Sequence, residues 1–504
     1  VRRFVANKYL LALLVVTAVA AEFGLASVSH PAAVAAGARV SASARATVSA
    51  VVRACAAPGS SGATTAGVAL AAASSGTGQA SVTRLTPAGA TSSPAPLHVV
   101  TQPGRLATLT VPSAPALARG LAQSTTATAA GVPTGPARGG VMIEASGSMA
   151  RGLEVEQTTT SGLGTAQCQG PGTDFWFVGP GQKSVANIQL YLMNTDDQAA
   201  DATVQILTDS GPIIGSTDAG IEVPPHAQVV QSLAKLVRGS RVVALNVSTS
   251  VGRVAAAVLE TSNSNQPGTW LPAAQPPATS QVLPGLPGTP GTRQLYVAVP
   301  GEGNAEIKVT AITAKGSYQP TGGSGIDLPG GSAVSVALPS LGGIPAAIEL
   351  SSSVPVTASM SVQGGAAGGT GAFTVATGPI QEQGVISGNP PSSGGSAELV
   401  LSAPQTAAQV QVTELTAAGQ ADVTFGTVQL GAGKTTVVNL NAPRQAGKSI
   451  PFAVVVTPLA GSGPVYAGRV VSQNDTVRSI LPVSSSLTWV PLPSVSNSVT
   501  TALP

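Results

Sequence analysis

Three stretches decide how this chain is read: Ile188–Thr208, IQLYLMNTDDQAADATVQILT; Arg293–Thr313, RQLYVAVPGEGNAEIKVTAIT; and Ala397–Thr416, AELVLSAPQTAAQVQVTELT. Leu190, Leu295 and Leu399 coincide when they are superposed, so the period is 105 and then 104 residues. Self-similarity at a fixed period marks a repeat architecture. Each stretch continues in the same order. A turn follows in EVPPHAQVV, DLPGGSAVSV or VQLGAGKTTVV. Later strands read RVVALNVSTS, PAAIELSSS or PFAVVVTP, then RVAAAVLETS, PVTASMSVQG or PVYAGRVVSQ. An aromatic landmark comes next, at Trp270, Phe373 and Trp489.

A weaker copy precedes these. VVRACAAP aligns with LVLSAP at its proline, which sets Cys55 beside Leu192, Val297 and Leu401. ASVTRLTPAG, VVTQPGRLATLTV, GVMIEASGS and ARGLEVEQTT follow in the expected order. The extra length of this copy is mostly a loop near 117–140, rich in small residues. Cys168 falls near the slot of the aromatic landmark. Cys55 and Cys168 are the only cysteines, and in an exported protein such a pair is expected to form a disulfide.

Within a copy, apolar residues alternate over five to nine residues between Gly, Pro, Asn and Asp turns, the pattern of short strands. Seven or eight strands in about 105 residues is the size of an immunoglobulin-like β-sandwich. The expected fold is therefore all-β, four such sandwiches in tandem. An eight-bladed β-propeller with two blades per repeat is the alternative. The expected boundaries are 1–28 for a signal peptide or membrane anchor, 29–38 for a linker, and 39–172, 173–278, 279–383 and 384–504 for the repeats. The tail Ser498–Leu503 reads as the start of a fifth unit, expected to pair with the fourth or close onto an earlier one.

Asp174–Gly181, DFWFVGPG, gathers three of the chain's fifteen aromatics. Thirteen residues before each anchor leucine stand Phe177, Val282 and Ile386, so this stretch is the first strand of the second repeat. Alternation sends Phe175 and Phe177 to one face and Trp176 to the other. Trp176, with Asp174 beside it, is the candidate for a surface contact such as sugar stacking; packing against the preceding repeat is the plainer role.

Charged residues are only 9% of the chain and the net charge is +3, without a long basic run, which argues against nucleic-acid binding. With 43% hydrophobic residues the chain has enough apolar surface for real cores. Arg2, Arg3 and Lys8 precede an apolar run from Tyr9 to Ala21, a basic region and then a hydrophobic one, as in an export signal. Ala18 and Ala20 resemble a cleavage site, whereas Phe23–Val28 extends the run toward a retained anchor. Both readings place the bulk of the chain outside the cytoplasm.

No motif assigns catalysis. GAGKTT, Gly431–Thr436, resembles the end of a phosphate-binding loop, but Val428 stands where its first glycine belongs and strand-like residues follow, so a hairpin turn is expected. His30, His98 and His226 have no ligand spacing. Asp196, Asp197 and Asp201 form a cluster that reads as a solvated turn rather than a calcium site. No cofactor or metal is expected.

CQGPGTDFWFVGPG, ANIQLYLMNTDDQAADATVQILTDSGPI and TWLPA, with the anchor-like N-terminus, resemble actinobacterial cell-envelope proteins of domain-of-unknown-function family 5719. The likeness is clearest from Cys168 to Pro212. Its members look exported or membrane-anchored and are often encoded beside a large membrane glycosyltransferase. The resemblance implies a non-catalytic scaffold or accessory binding partner in cell-surface glycan assembly, with a membrane glycosyltransferase or cell-wall polysaccharide as partner. A carbohydrate-binding or adhesin-type module is the alternative, and a glycan hydrolase with scattered carboxylates a third.

Overall fold

A computed structural model describes residues 16–17, 45–56, 66–87, 96–111, 139–158, 165–213, 220–261, 268–341, 343–363, 371–390, 395–420, 425–474 and 476–492. The period seen in the sequence returns as a strand order. The second repeat has eight principal strands: Asp174–Pro180, Asn187–Met193, Ala200–Thr208, Ile221–Val223, Ala227–Ser232, Val242–Val251, Ala255–Thr261 and Thr269–Leu271. The first, sixth, third and fourth lie side by side in one sheet, here termed leading. The eighth, seventh, second and fifth form another, termed trailing.

The same two orders recur in the first repeat, from Ala50–Cys55 to Thr165–Gln167, and in the fourth, from Gly384–Asn389 to Thr476–Val483. They recur in the third, from Ala278–Leu286 to Ala372–Val375. There the sixth and seventh strands are one continuous strand, Ala346–Gln363, which pairs first in the leading and then in the trailing sheet.

The second strand of the second repeat shows why these strands read as nearly continuous apolar runs. Leu190 and Leu192 enter the repeat's own core with Phe177, Val204 and Leu245. Tyr191 and Met193 point the other way, into a second core with Ala54 and Met142 of the first repeat. A sheet covered on both faces has no solvent side to alternate with.

That second core is a seam between the leading sheet of repeat 1 and the trailing sheet of repeat 2. The same sheet types meet at every seam. Tyr296, Ala298 and Phe373 of the third repeat's trailing sheet join the second repeat's core. Val282, Ile312 and Ala347 of the third repeat's leading sheet meet Tyr466 of the fourth. Here Gly285 and Gly468 come so close that a Cβ on Gly285 would stand 2.9 Å from the Cα of Gly468, and Gly285 has φ +84°. Val385, Leu415, Ala453 and Val455 of the fourth leading sheet pack on Ala69, Ala71 and Leu106 of the first trailing sheet. Thr47–Thr488 accordingly forms one compact unit. Arg45–Thr47 and Trp489–Pro491 make a separate two-stranded sheet.

Several expectations need correction. Cys55 lies on the first strand of its repeat, paired with Val141, and not on the second, which is Ala66–Ala72. The single proline match had shifted the alignment by one strand, because the true second strand is made of small residues. With ASVTRLT set on ATVQILT, Cys55 takes the place of Phe177.

Trp489 is not the fourth aromatic landmark. Trp270 pairs with Leu259, Phe373 with Ser361 and Ile480 with Val470, so Ile480 holds that register. Trp489 is 45% exposed. The turn Gly431–Lys434 crosses from the leading to the trailing sheet instead of forming a hairpin within one. Gly433 has φ +65° there, which favours glycine. The strand beyond the fourth repeat is Trp489–Pro491, and the tail Ser498–Leu503 lies outside the described residues, as does most of the loop near 117–140. Among the described residues no helix is long and apolar enough to cross a membrane. Of the run Tyr9–Ala21 only Val16 and Thr17 are described.

Candidate functional site

The eighth strand ends each trailing sheet on one side in repeats 1, 2 and 4, and its counterpart in repeat 3 pairs only with the long strand. Such an edge presents backbone N–H and C=O groups not used by a ladder. All four eighth strands contribute to one cavity of about 230 Å³, through Gln167, Trp270, Val375 and Ile480. Residues that follow them complete the wall, including Gln169, Gln275, Thr377 and Ser484, with Phe175 and Phe177 from the second repeat's first strand.

Local bonding fixes this wall. Ala274 N–H donates to Trp176 O at 2.8 Å, and Gln275 N–H to Ala376 O at 3.0 Å. Thr357 Oγ1 donates to Gln275 O at 3.0 Å, so the Gln275 segment is stitched to the third repeat by its backbone. Thr377 N–H donates to Val282 O at 3.0 Å, while its Oγ1 is buried with no hydrogen-bond partner. Gln167 Nε2 donates to Glu154 Oε2 at 2.9 Å. Trp270 rests against Tyr191, ring centroids 5.4 Å apart and tilted by 58°. The wall contains aromatic faces, amides, hydroxyls and small apolar residues, and none of its residues is ionisable.

Charge is buried beside the cavity rather than in its wall. Arg469, fully buried, reaches the carbonyl of Gly388 and the hydroxyl of Thr165, a wall residue. Its Nη2 stands 3.3 Å from Glu156 Oε2. Glu156 Oε1 accepts from the backbone N–H of Ser387 at 2.7 Å and of Gly388 at 3.0 Å. Desolvation pulls the Arg469 guanidinium down from its ordinary value, and Glu156 opposes that. Glu260 is buried on the second repeat's seventh strand, its Oε2 without a partner, and burial pushes its carboxyl well above the usual range. Glu414, in the fourth leading sheet, is pushed up to about 7 by burial.

Of the residues singled out from the sequence, Cys55 and Cys168 form a disulfide. Trp176 is buried at 7% exposure, so it offers no surface for stacking. Its Nε1 donates to Asp174 Oδ2 at 3.3 Å, and Asn246 Nδ2 donates to Oδ1 of the same carboxylate. Asp174 itself is exposed. Asp196 is engaged twice by Arg253, at 3.1 and 2.8 Å, and Asp197 Oδ1 lies 2.8 Å from His226 Nε2. Among the described residues no group of three His, Cys, Asp or Glu is placed to hold a metal.

Gln275 and Thr377 were not foreseen as site residues. They follow the landmark aromatics, in LPAAQP and VATGP, where Gln169 and Ser484 also sit in their copies. The signal was the shared position after the eighth strand, which the misplaced fourth landmark concealed.

No curated protein matches the chain. The model of a family of unknown function, DUF5719, matches residues 121–441, more than half of its length. The chain is thus a member of the DUF5719 family of unknown function.

Proposed function

We propose that this protein is a non-catalytic cell-envelope component, a scaffold or accessory binding partner in cell-surface glycan assembly. The observation that carries a binding role is the cavity wall, where four repeats converge without one ionisable side chain. Acid–base catalysis needs a group that gains and loses a proton, and nucleophilic catalysis needs a carboxylate, an amine, a thiolate or a hydroxyl activated by a base. Glu260 and Glu414 are raised carboxylates of different repeats, outside that wall, which weighs against a hydrolase site there.

We read the four repeats as eight blades, two per repeat, set around one axis. The recurring seam of leading on trailing sheet, its return from repeat 4 to repeat 1 and the meeting of the eighth strands support this over a string of separate sandwiches. The eight-strand, two-sheet content of each repeat fits an immunoglobulin-like sandwich equally well when a repeat is viewed alone.

The basic and then apolar N-terminus favours an extracytoplasmic location, secreted or held at the cytoplasmic membrane. A membrane glycosyltransferase or a cell-wall polysaccharide is the partner. A carbohydrate-binding surface module is the second reading, favoured by the aromatic and amide lining.

The test is affinity capture of the tagged full chain from fractionated cells. Recovery from the envelope with a glycosyltransferase or polysaccharide supports the proposal. Recovery from cytosol, or release of reducing ends from polysaccharide by the pure protein, overturns it.

A further inference from the structure

We infer that the cavity where the eighth strands meet binds a single neutral sugar ring. This rests on the binding reading above and names the class of ligand.

Size comes first. Pockets for drug-sized ligands run from about 300 to 1,000 Å³. At about 230 Å³ this cavity suits one ring and its hydroxyls, not an extended chain. Charge comes second. No cation or carboxylate stands in the wall, and an ionised ligand there would lose its hydration without gaining a counter-charge. Chemistry comes third. Trp270 and Phe175 supply aromatic faces, against which the C–H side of a pyranose packs. Gln169 and Gln275 each carry both a donor and an acceptor, which matches hydroxyl groups that do the same. The Gln169 amide already reaches the carbonyl of Gln167, but a purely lipidic ligand would leave the Gln275 amide against apolar groups. Thr377 Oγ1 is the second, independent observation. It is a buried hydroxyl without a hydrogen-bond partner, on a residue of the wall.

Binding is measured on the full chain by saturation-transfer NMR and calorimetry, with the methyl α-glycosides of glucose, galactose, mannose and arabinose as probes. Glucuronic acid and glucosamine are the charged controls. At least one neutral glycoside is expected to bind, and the charged controls are expected not to. Thr377→Val keeps the shape and removes the hydroxyl. Gln275→Leu removes the amide and leaves the backbone bonds in place. Each is expected to weaken binding about tenfold, with the melting temperature held. Trp270→Leu is not used alone, because that ring also packs on Tyr191.

Absence of binding by every neutral glycoside overturns the inference. Undiminished binding in both variants does so too, as does preference for a charged control. An envelope protein recovered with a glycosyltransferase but blind to these probes loses only the cavity assignment. A sugar-binding protein recovered from cytosol loses only the envelope role.

Discussion

The seam between repeats 1 and 2 and the seam between repeats 4 and 1 join the same two kinds of sheet by different means. At the first, Ala54, Leu85 and Met142 lie against Tyr191, Met193 and Leu259, an apolar contact between neighbours in sequence, with Thr86–Pro87 adding a short parallel pairing to Ala227–Gln228. At the second, Ala69, Ala71 and Leu106 meet Val385, Leu415 and Val455, and a buried ion pair is added. Glu156 and Arg469 come from strands more than 300 residues apart. Adjacent repeats are delivered to each other by a short connection. The first and fourth are not, and apolar surface alone is non-directional. The fixed geometry of Glu156 on two backbone N–H groups, with Arg469 on Gly388 and Thr165, gives the distant pair a register. A buried pair of this kind is weak evidence for net stability, and its best-attested use is specification.

The sharpest way to break the contrast is Arg469→Met. It strands the Glu156 carboxylate in a dry seam and should cost about 3–5 kcal/mol. Glu156→Gln combined with Arg469→Met should recover much of that, since no unpaired charge remains. Chemical denaturation of the three proteins measures both. Equal stability of Arg469→Met and the parent would show that the seam does not depend on the pair.

The first repeat is also closed covalently. Cys55 and Cys168 are 113 residues apart, and their bond ties its first strand to the end of its last. Replacing both with alanine should cost about 2–5 kcal/mol. The other three repeats have no cysteine, so a reductant should lower the melting point of the parent and leave the double variant unmoved. A parent indifferent to reductant removes this distinction between repeat 1 and its copies.

A smaller effect sharpens the register of repeat 4. Ile480→Ala empties a core position 4% exposed and should cost about 2–4 kcal/mol. Trp489→Ala, at an exposed position, should stay within about 0.5 kcal/mol. The reverse order would restore Trp489 as the landmark.

These sites mark how far the sequence could be read. The three strong copies revealed all-β repeats because their second and third strands carry large aliphatics at fixed spacing, as in Leu190, Leu295 and Leu399. The cysteine pair was legible because only two thiols exist. What stayed hidden depends on tertiary contact. The strand Ala66–Ala72 has too few large side chains to be aligned by eye. Trp176 is buried, and the segment that bridges to its backbone, at Ala274, comes from the far end of the same repeat, which no local pattern reports. The cavity is assembled from four segments each about 100 residues apart, and only their common position after the eighth strand hints at it.

Two buried carboxylates differ in their surroundings. Glu156 takes two backbone N–H bonds on Oε1 and faces Arg469 with Oε2, whereas Glu414, paired with Val454 on the fourth leading sheet and turned to the opposite face from Leu415, keeps a buried Oε1 without a partner. Burial raises Glu414 from 4.5 to about 7. A raised carboxyl binds its proton more tightly in the folded chain than in the unfolded one. Its contribution to stability is therefore full below about 4.5 and is lost as pH rises toward about 7. The slope from one such group is at most about 1.4 kcal/mol per pH unit. Glu260 is raised as well and acts in the same direction. Glu414→Gln removes the titration and should flatten the fall across that window, so that the gap between parent and variant widens with pH and levels off above about pH 7. Denaturant midpoints measured from pH 4.5 to pH 8 test this, and parallel curves for the two proteins would mean that Glu414 is ionised and solvated in the folded chain.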